Sequence, residues 1–186
     1  VRALDANRLV SAALLGAGAK ELATIMGHLA ARALAAGGLS ATEQQAFEQV
    51  LEEAGPATVS ADAGYTVVID DPLGELVDVV GYNQYFGWYY SVYFARRIGV
   101  GDHVIRPLML AFMHAMRITA AVDKPILISE FGAGAKQGRR GGEALIFTEE
   151  YQVQVYQSQL AMLAASEQVQ GISPWILKDF RAMLRT

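Results

Sequence analysis

Four residues, Ile126-Leu-Ile-Ser129, follow Lys124-Pro125 and run straight into a single carboxylate, Glu130, after which Gly132 and Gly134 permit a sharp turn. An apolar run this short, bounded by proline and glycine, reads as a buried parallel strand that delivers one acid to its C-terminal end. A carboxylate in that place must be neutralised, paired or used, because an isolated buried charge is too costly to keep.

The rest of the chain alternates around that strand. Leu9 to Leu15 reads as a first strand, closed by Gly16 and Gly18. From Lys20 to Ala36 the spacing becomes helical, with Leu22, Ile25, Met26, Leu29 and Ala33 on one face, and Gly37-Gly38 stops it. Ser40 or Thr42 can cap a second helix that buries Phe47, Val50, Leu51 and Ala54. Residues 37 to 62 therefore read as a helical insertion. Tyr65 to Ile69 is a β-branched run, Asp70-Asp-Pro a turn, and Leu76 to Gly81 a second parallel strand. A helix with Ile105, Leu108, Met109, Phe112 and Met116 follows, with Pro107 fitting only its first turn. After Glu130 comes a loop rich in glycine and basic residues (Lys136, Arg139, Arg140), and then a helix started by Thr148-Glu-Glu, with Tyr156, Leu160 and Leu163 facing inward. Gly171 to Leu177 is the last strand. Strand–helix alternation predicts an α/β chain with parallel pairing, and four such units could make half of an eight-stranded barrel.

Composition narrows the functions. With 186 residues, 53% of them hydrophobic and 18% charged, the chain can bury a sizeable core as one domain. A net charge of −4 with scattered Lys and Arg argues against nucleic acid and against an anionic membrane as partners. The absence of cysteine removes disulfides and thiolate metal sites. No apolar run is long enough for a membrane span, and no signal-like segment is seen. Both ends read as mid-protein sequence, so a piece of a longer chain is expected. Gly132-Ala-Gly134 lacks the rest of a dinucleotide fingerprint, and His28, His103 and His114 lack metal-ligand spacing, so neither a cofactor nor a metal is expected.

Two features carry chemistry. Glu130 is either a strand-end acid paired with a lysine or arginine, or a catalytic carboxylate. As the nucleophile of a retaining glycosidase it needs donors and positive charge to stay ionised; Tyr85 can supply the first and Arg181 the second. The stretch Tyr82 to Tyr93 is the most aromatic of the chain. Core packing explains much of it, yet Gly81 and Gly87 interrupt helical spacing and Asn83 sets an amide among the rings. Sugars offer C–H faces to aromatics and hydroxyls to amides, and Trp88 and Trp175 are the best stacking candidates.

Four strings now combine: Asp78-Val-Val-Gly-Tyr-Asn-Gln-Tyr-Phe-Gly-Trp-Tyr89, Lys124-Pro-Ile-Leu-Ile-Ser-Glu-Phe-Gly-Ala133, Phe147-Thr-Glu-Glu-Tyr-Gln152 and Pro174-Trp-Ile-Leu-Lys-Asp-Phe-Arg181. In this order they resemble the β-glucuronidase-like and β-galactosidase-like catalytic barrels of glycoside hydrolase family 2. The resemblance implies that residues 1–186 are a partial catalytic domain, a (β/α)8 TIM-barrel fragment holding about strands 5 to 8. It implies a retaining mechanism with Glu130 as nucleophile, supported by Tyr85, and a β-glycoside substrate met by Asn83, Tyr89 and Trp175; the chemistry of the residues themselves adds lesser parts for Trp88 and Arg181. The family's acid/base glutamate follows an asparagine upstream, and no Asn-Glu pair occurs in this sequence. Its Asn-x-Lys motif for a uronate carboxylate would come after Thr186. The chain alone is therefore expected to be inactive, and a homo-oligomer of the full-length protein is compatible with the resemblance. The competing expectations are a non-catalytic carbohydrate-binding or structural barrel segment, and a cofactor-binding α/β domain, which would need a phosphate loop.

Overall fold

A computed structural model describes residues 7–14, 18–55, 59–143 and 145–178. Four strands, β1 (Ser11–Leu14), β3 (Val79–Asn83), β5 (Ile126–Phe131) and β6 (Val169–Pro174), form one parallel sheet whose spatial order, β1-β3-β5-β6, follows the chain without reversal. A second, two-stranded parallel sheet pairs β2 (Tyr65–Ile69) with β4 (Met116–Ala120). Helices α1 (Ala19–Ala36) and α2 (Ala41–Ala54) cross between β1 and β3, α3 (Tyr89–Ile98) and α4 (Asp102–Met113) between β3 and β5, and α5 (Glu149–Ala164) between β5 and β6. Parallel strands need crossovers of this length, which is why each return passes through helix. Among the described residues no helix is long and apolar enough to cross a membrane.

The core lies between the helices and one face of the main sheet. Val80, Tyr82, Ile126 and Ile128 alternate onto that face and are buried against Ile25, Leu29, Phe94, Met109 and Phe112. Each such aliphatic side chain contributes roughly 1.5–3 kcal/mol on full burial. Local signals set the helix starts. The Ser40 hydroxyl accepts from the Glu43 amide while the Glu43 carboxylate accepts from the Ser40 amide, closing a capping box on α2. The Thr148 hydroxyl accepts from the Tyr151 amide and caps α5. Asp71 accepts from the Leu73 amide, making Asp70-Asp-Pro the expected turn.

The structure corrects several boundaries. Met116 opens β4 instead of extending a helix, because Met116-Arg-Ile-Thr-Ala buries every second residue, the period of a strand. The β-branched run Tyr65–Ile69 is its partner, outside the main sheet. Pro107 sits in the second turn of α4, which begins at Asp102 and is held there by the Arg106–Asp102 ion pair. The second strand of the main sheet runs from Val79 to Asn83, not from Leu76, which is exposed beyond the Pro72–Glu75 turn. On α5, Leu160 is exposed; the inward face is Tyr151, Val155, Gln159, Met162 and Leu163. That face mixes polar with apolar side chains, so a purely apolar stripe does not mark it.

Candidate active site

The C-terminal ends of β3, β5 and β6 lie side by side and carry Asn83, Glu130 and, one residue past Pro174, Trp175. The position of Glu130 depends on a β-bulge. Tyr82 and Asn83 are consecutive on β3 but pair with Ile128 and Glu130; Ile172 and Pro174 of β6 pair with Ile128 and Phe131. Thus β5 has one residue more than either neighbour between Ile128 and its end. Strict alternation would set Glu130 on the face of Ile126 and Ile128, among the helices. The extra residue changes the phase: Ser129 and Glu130 are both partly exposed, and Phe131 returns to the core. A bulge that re-aims one side chain in this way satisfies the core and presents the acid together.

Glu130 is held by the two residues that follow β3. The Tyr85 hydroxyl donates to its Oε2 at 2.8 Å, and its carbonyl accepts from the Gln84 amide at 2.9 Å. Burial first, and then the bond to Glu130, push the Tyr85 hydroxyl well above the ordinary tyrosine range, so it remains the donor. The Ser129 hydroxyl donates to Asn83 Oδ1 at 2.7 Å, fixing which way the Asn83 amide faces. Such an arrangement can present a carboxylate, with one oxygen fixed by a phenol, to a reacting centre on the open side of the sheet.

The aromatic candidates separate by exposure. Tyr89 packs edge-on against Tyr85, with ring centroids 5.1 Å apart, and is 47% exposed. Trp175 is 51% exposed, and its amide donates to the Phe131 carbonyl at 2.9 Å, so it flanks the strand that carries Glu130. Trp88 is only 5% exposed and packs against Phe147 and Tyr151. Its indole is thus a wall beneath the rim, where the sequence suggested a stacking face, because Gly87 at φ 81° turns the chain inward just before α3. Arg181 lies outside the described residues.

Sequence reasoning missed the supports. Lys124 donates to the carbonyls of Gly74 and Glu75 at 2.8 Å each, tying the start of β5 to the turn before β3. Tyr151 donates to the Gly87 carbonyl at 2.6 Å and Gln159 to the Phe86 carbonyl at 2.8 Å, so α5 holds the loop that carries Tyr85. The available signal was polar side chains at inward helical positions. A recess of about 620 Å³ at the opposite end of the sheet, lined in part by Thr66, Arg117, Asp123, Glu167 and Gln168, contains none of the residues singled out from sequence. His28 is buried against Tyr65 and Phe112 with its Nδ1 at 3.1 Å from the Ser60 carbonyl, whereas His103 and His114 are exposed. Among the described residues no three His, Asp or Glu side chains gather closely enough to hold a metal ion.

No protein-family model matches the chain. It is 31% identical over 114 residues to a β-glucuronidase of Streptococcus agalactiae, a match covering 61% of this chain and 18% of that protein. Among solved structures it is similar to the β-glucuronidase from Ruminococcus gnavus in complex with uronic isofagomine, at 19% identity and a TM-score of 0.45, over 75% of this chain and 24% of that one. A GH2 β-galacturonidase from Eisenbergiella tayi matches at 28% identity and a TM-score of 0.36, over 53% of this chain and 16% of that one. The chain spans about a fifth of the length of the curated relative it matches. The resemblance to β-glucuronidase-like sequences, carried by four sequence strings, is thus met by a similarity to part of a β-glucuronidase.

Proposed function

We propose that this chain is part of the catalytic domain of a retaining β-glycoside hydrolase, β-glucuronidase-like or β-galactosidase-like, with Glu130 as its nucleophile. The observation that carries the reading is the bulge that turns Glu130 to the open face and sets the Tyr85 hydroxyl 2.8 Å from it. In this reading the Glu130 carboxylate attacks the anomeric carbon, the bond to the leaving oxygen breaks, and a glycosyl ester forms on Glu130. The leaving oxygen takes its proton from a second carboxylic acid, which this chain does not supply in the family's Asn-Glu form. Water, deprotonated by that same group, then cleaves the ester and frees the carboxylate. Tyr85 keeps one Glu130 oxygen fixed, Asn83 offers its amide to a sugar hydroxyl, and Tyr89 and Trp175 supply exposed aromatic faces. Arg181, offered by the sequence as a source of positive charge for Glu130, belongs to the same proposal. The unreversed strand order of the main sheet supports a place in an eight-stranded barrel, at about its strands 5 to 8.

The test is covalent labelling of the full-length protein with a 2-deoxy-2-fluoro β-glycoside, followed by peptide mass spectrometry. The label is expected on Glu130, and a label on any other carboxylate overturns the assignment. Residues 1–186 expressed alone are expected to turn over no substrate, since the acid/base term of roughly 10²–10⁴ in rate is missing.

A further inference from the structure

Helix α5 ends four of its side chains on main-chain carbonyls at the rim of the sheet. Tyr151 and Gln159 reach Gly87 and Phe86 after β3, Gln152 reaches Ala133 after β5 at 2.7 Å, and Tyr156 reaches Trp175 after β6 at 3.4 Å. Gln152, Tyr156 and Gln159 follow one another at i, i+4 and i+7, so they form one stripe along the helix. Three loops are therefore held from a single rigid element.

Tyr156 differs from the other three because it touches two of those loops. Its ring stands edge-on to Phe131 at 5.6 Å between centroids. Its hydroxyl lies directly over Gly132, where an added Cβ would come within 2.5 Å of it and within 3.3 Å of the Trp175 carbonyl. Gly132 itself adopts φ 133°, a conformation open to glycine and to few other residues. The same hydroxyl is near enough to Tyr85 to add, as a minor cause, to the upward shift of that phenol. The turn after β5 and the main chain after β6 thus meet at one oxygen atom.

We propose that Tyr156 is a positioning residue that fixes the Trp175 main chain against the turn following Glu130, and so sets the distance between the carboxylate and the exposed indole face. This inference rests on the reading of Glu130 as nucleophile and Trp175 as sugar platform. The Trp175 main chain is held on its amide side by Phe131 and on its carbonyl side by Tyr156. Removing the hydroxyl leaves the first contact and frees the second. The platform then binds sugar less well, while the bond between Tyr85 and Glu130 is untouched.

The experiment measures kcat and KM of the full-length protein and of its Tyr156→Phe, Trp175→Ala, double and Glu130→Gln variants, with 4-nitrophenyl β-D-glucuronide and β-D-galactoside. For Tyr156→Phe, KM is expected to rise roughly 2- to 10-fold, the range for one neutral hydrogen bond, with kcat within about twofold. In the Trp175→Ala background the same change is expected to move KM by less than about twofold, because the two residues act as one unit. An unchanged KM, an equal rise in both backgrounds, or a fall in kcat alone overturns the inference while an inactive Glu130→Gln leaves the nucleophile standing. A fully active Glu130→Gln, or no hydrolysis of either glycoside by the unmodified protein, overturns the proposed function and this inference with it.

Discussion

Replacing Tyr151 by phenylalanine removes one oxygen from the place where α5 meets the loop after β3. The Tyr151 side chain is buried, and its hydroxyl donates to the Gly87 carbonyl at 2.6 Å. The ring can stay where it is, so no cavity forms, but the Gly87 carbonyl loses its donor away from water. A buried acceptor left unsatisfied costs about 1–3 kcal/mol. For a chain of this length, each kcal/mol moves the melting temperature by about 2–4 °C, giving an expected drop of about 2–12 °C. Urea unfolding followed by tryptophan fluorescence is the natural assay, since the Trp88 ring lies 6.4 Å from that of Tyr151.

The same pair carries a pH signature. Burial above all, with a smaller contribution from Asp102 and against the pull of Arg106, pushes the Tyr151 hydroxyl up to about 12. In the unfolded chain it titrates near about 10. The stability that Tyr151 contributes is therefore complete below about pH 10 and is lost as pH rises through about 12. The gap between the unmodified chain and Tyr151→Phe is expected to be constant near neutrality and to narrow over that window. A difference below about 0.3 kcal/mol at neutral pH, or a gap that does not narrow above about pH 10, refutes the reasoning.

Tyr85→Phe in the full-length protein removes a hydrogen bond to a charged acceptor, worth about 1.5–3 kcal/mol, and is expected to lower kcat/KM by roughly 10- to 150-fold. Steady-state kinetics check this, and a loss below about threefold would remove Tyr85 from the reaction. Gly132→Ala is expected to destabilise by about 1–3 kcal/mol, since an alanine at φ 133° is strained and its methyl meets the Tyr156 hydroxyl. In urea unfolding, adding Tyr156→Phe is expected to recover the steric part of that loss and leave the backbone part.

The sequence made the elements legible where one period dominated. The Gly37-Gly38 stop, the Ser40 and Thr148 caps and the inward face of α1 appear as expected, because each is decided within a few residues; the end of the first strand at Leu15 and Gly16 lies outside the described residues. Strand β4 was hidden because Met116 continues the apolar spacing of α4; its strand character depends on Tyr65–Ile69, far away in sequence. Glu130, Tyr85 and Asn83 were legible as residue types in order, and the structure brings them within one or two contacts of each other. Trp88 could not be separated from Trp175, because the choice between wall and exposed face rests on the backbone at Gly87. The supports on α5 stayed hidden for a related reason: glutamine and tyrosine at inward positions look like interruptions until the carbonyls they meet are known.

The bulge in β5 has a consequence for how such a site can change over time. Substituting one residue for another at position 129 or 130 leaves the phase of the strand intact, so Phe131 keeps its place in the core. Deleting either residue removes the extra step that both neighbours are measured against. The residue preceding Phe131 would then adopt the phase of a regular strand, opposite to Ile128 and Phe131, so the core could close again, while the site would lose either the acid or the Ser129 hydroxyl that meets Asn83, and with it the step that re-aims Glu130. A change of length here is thus tolerated by the packing and felt by the site: the extra residue serves the placing of the acid, and the core could do without it.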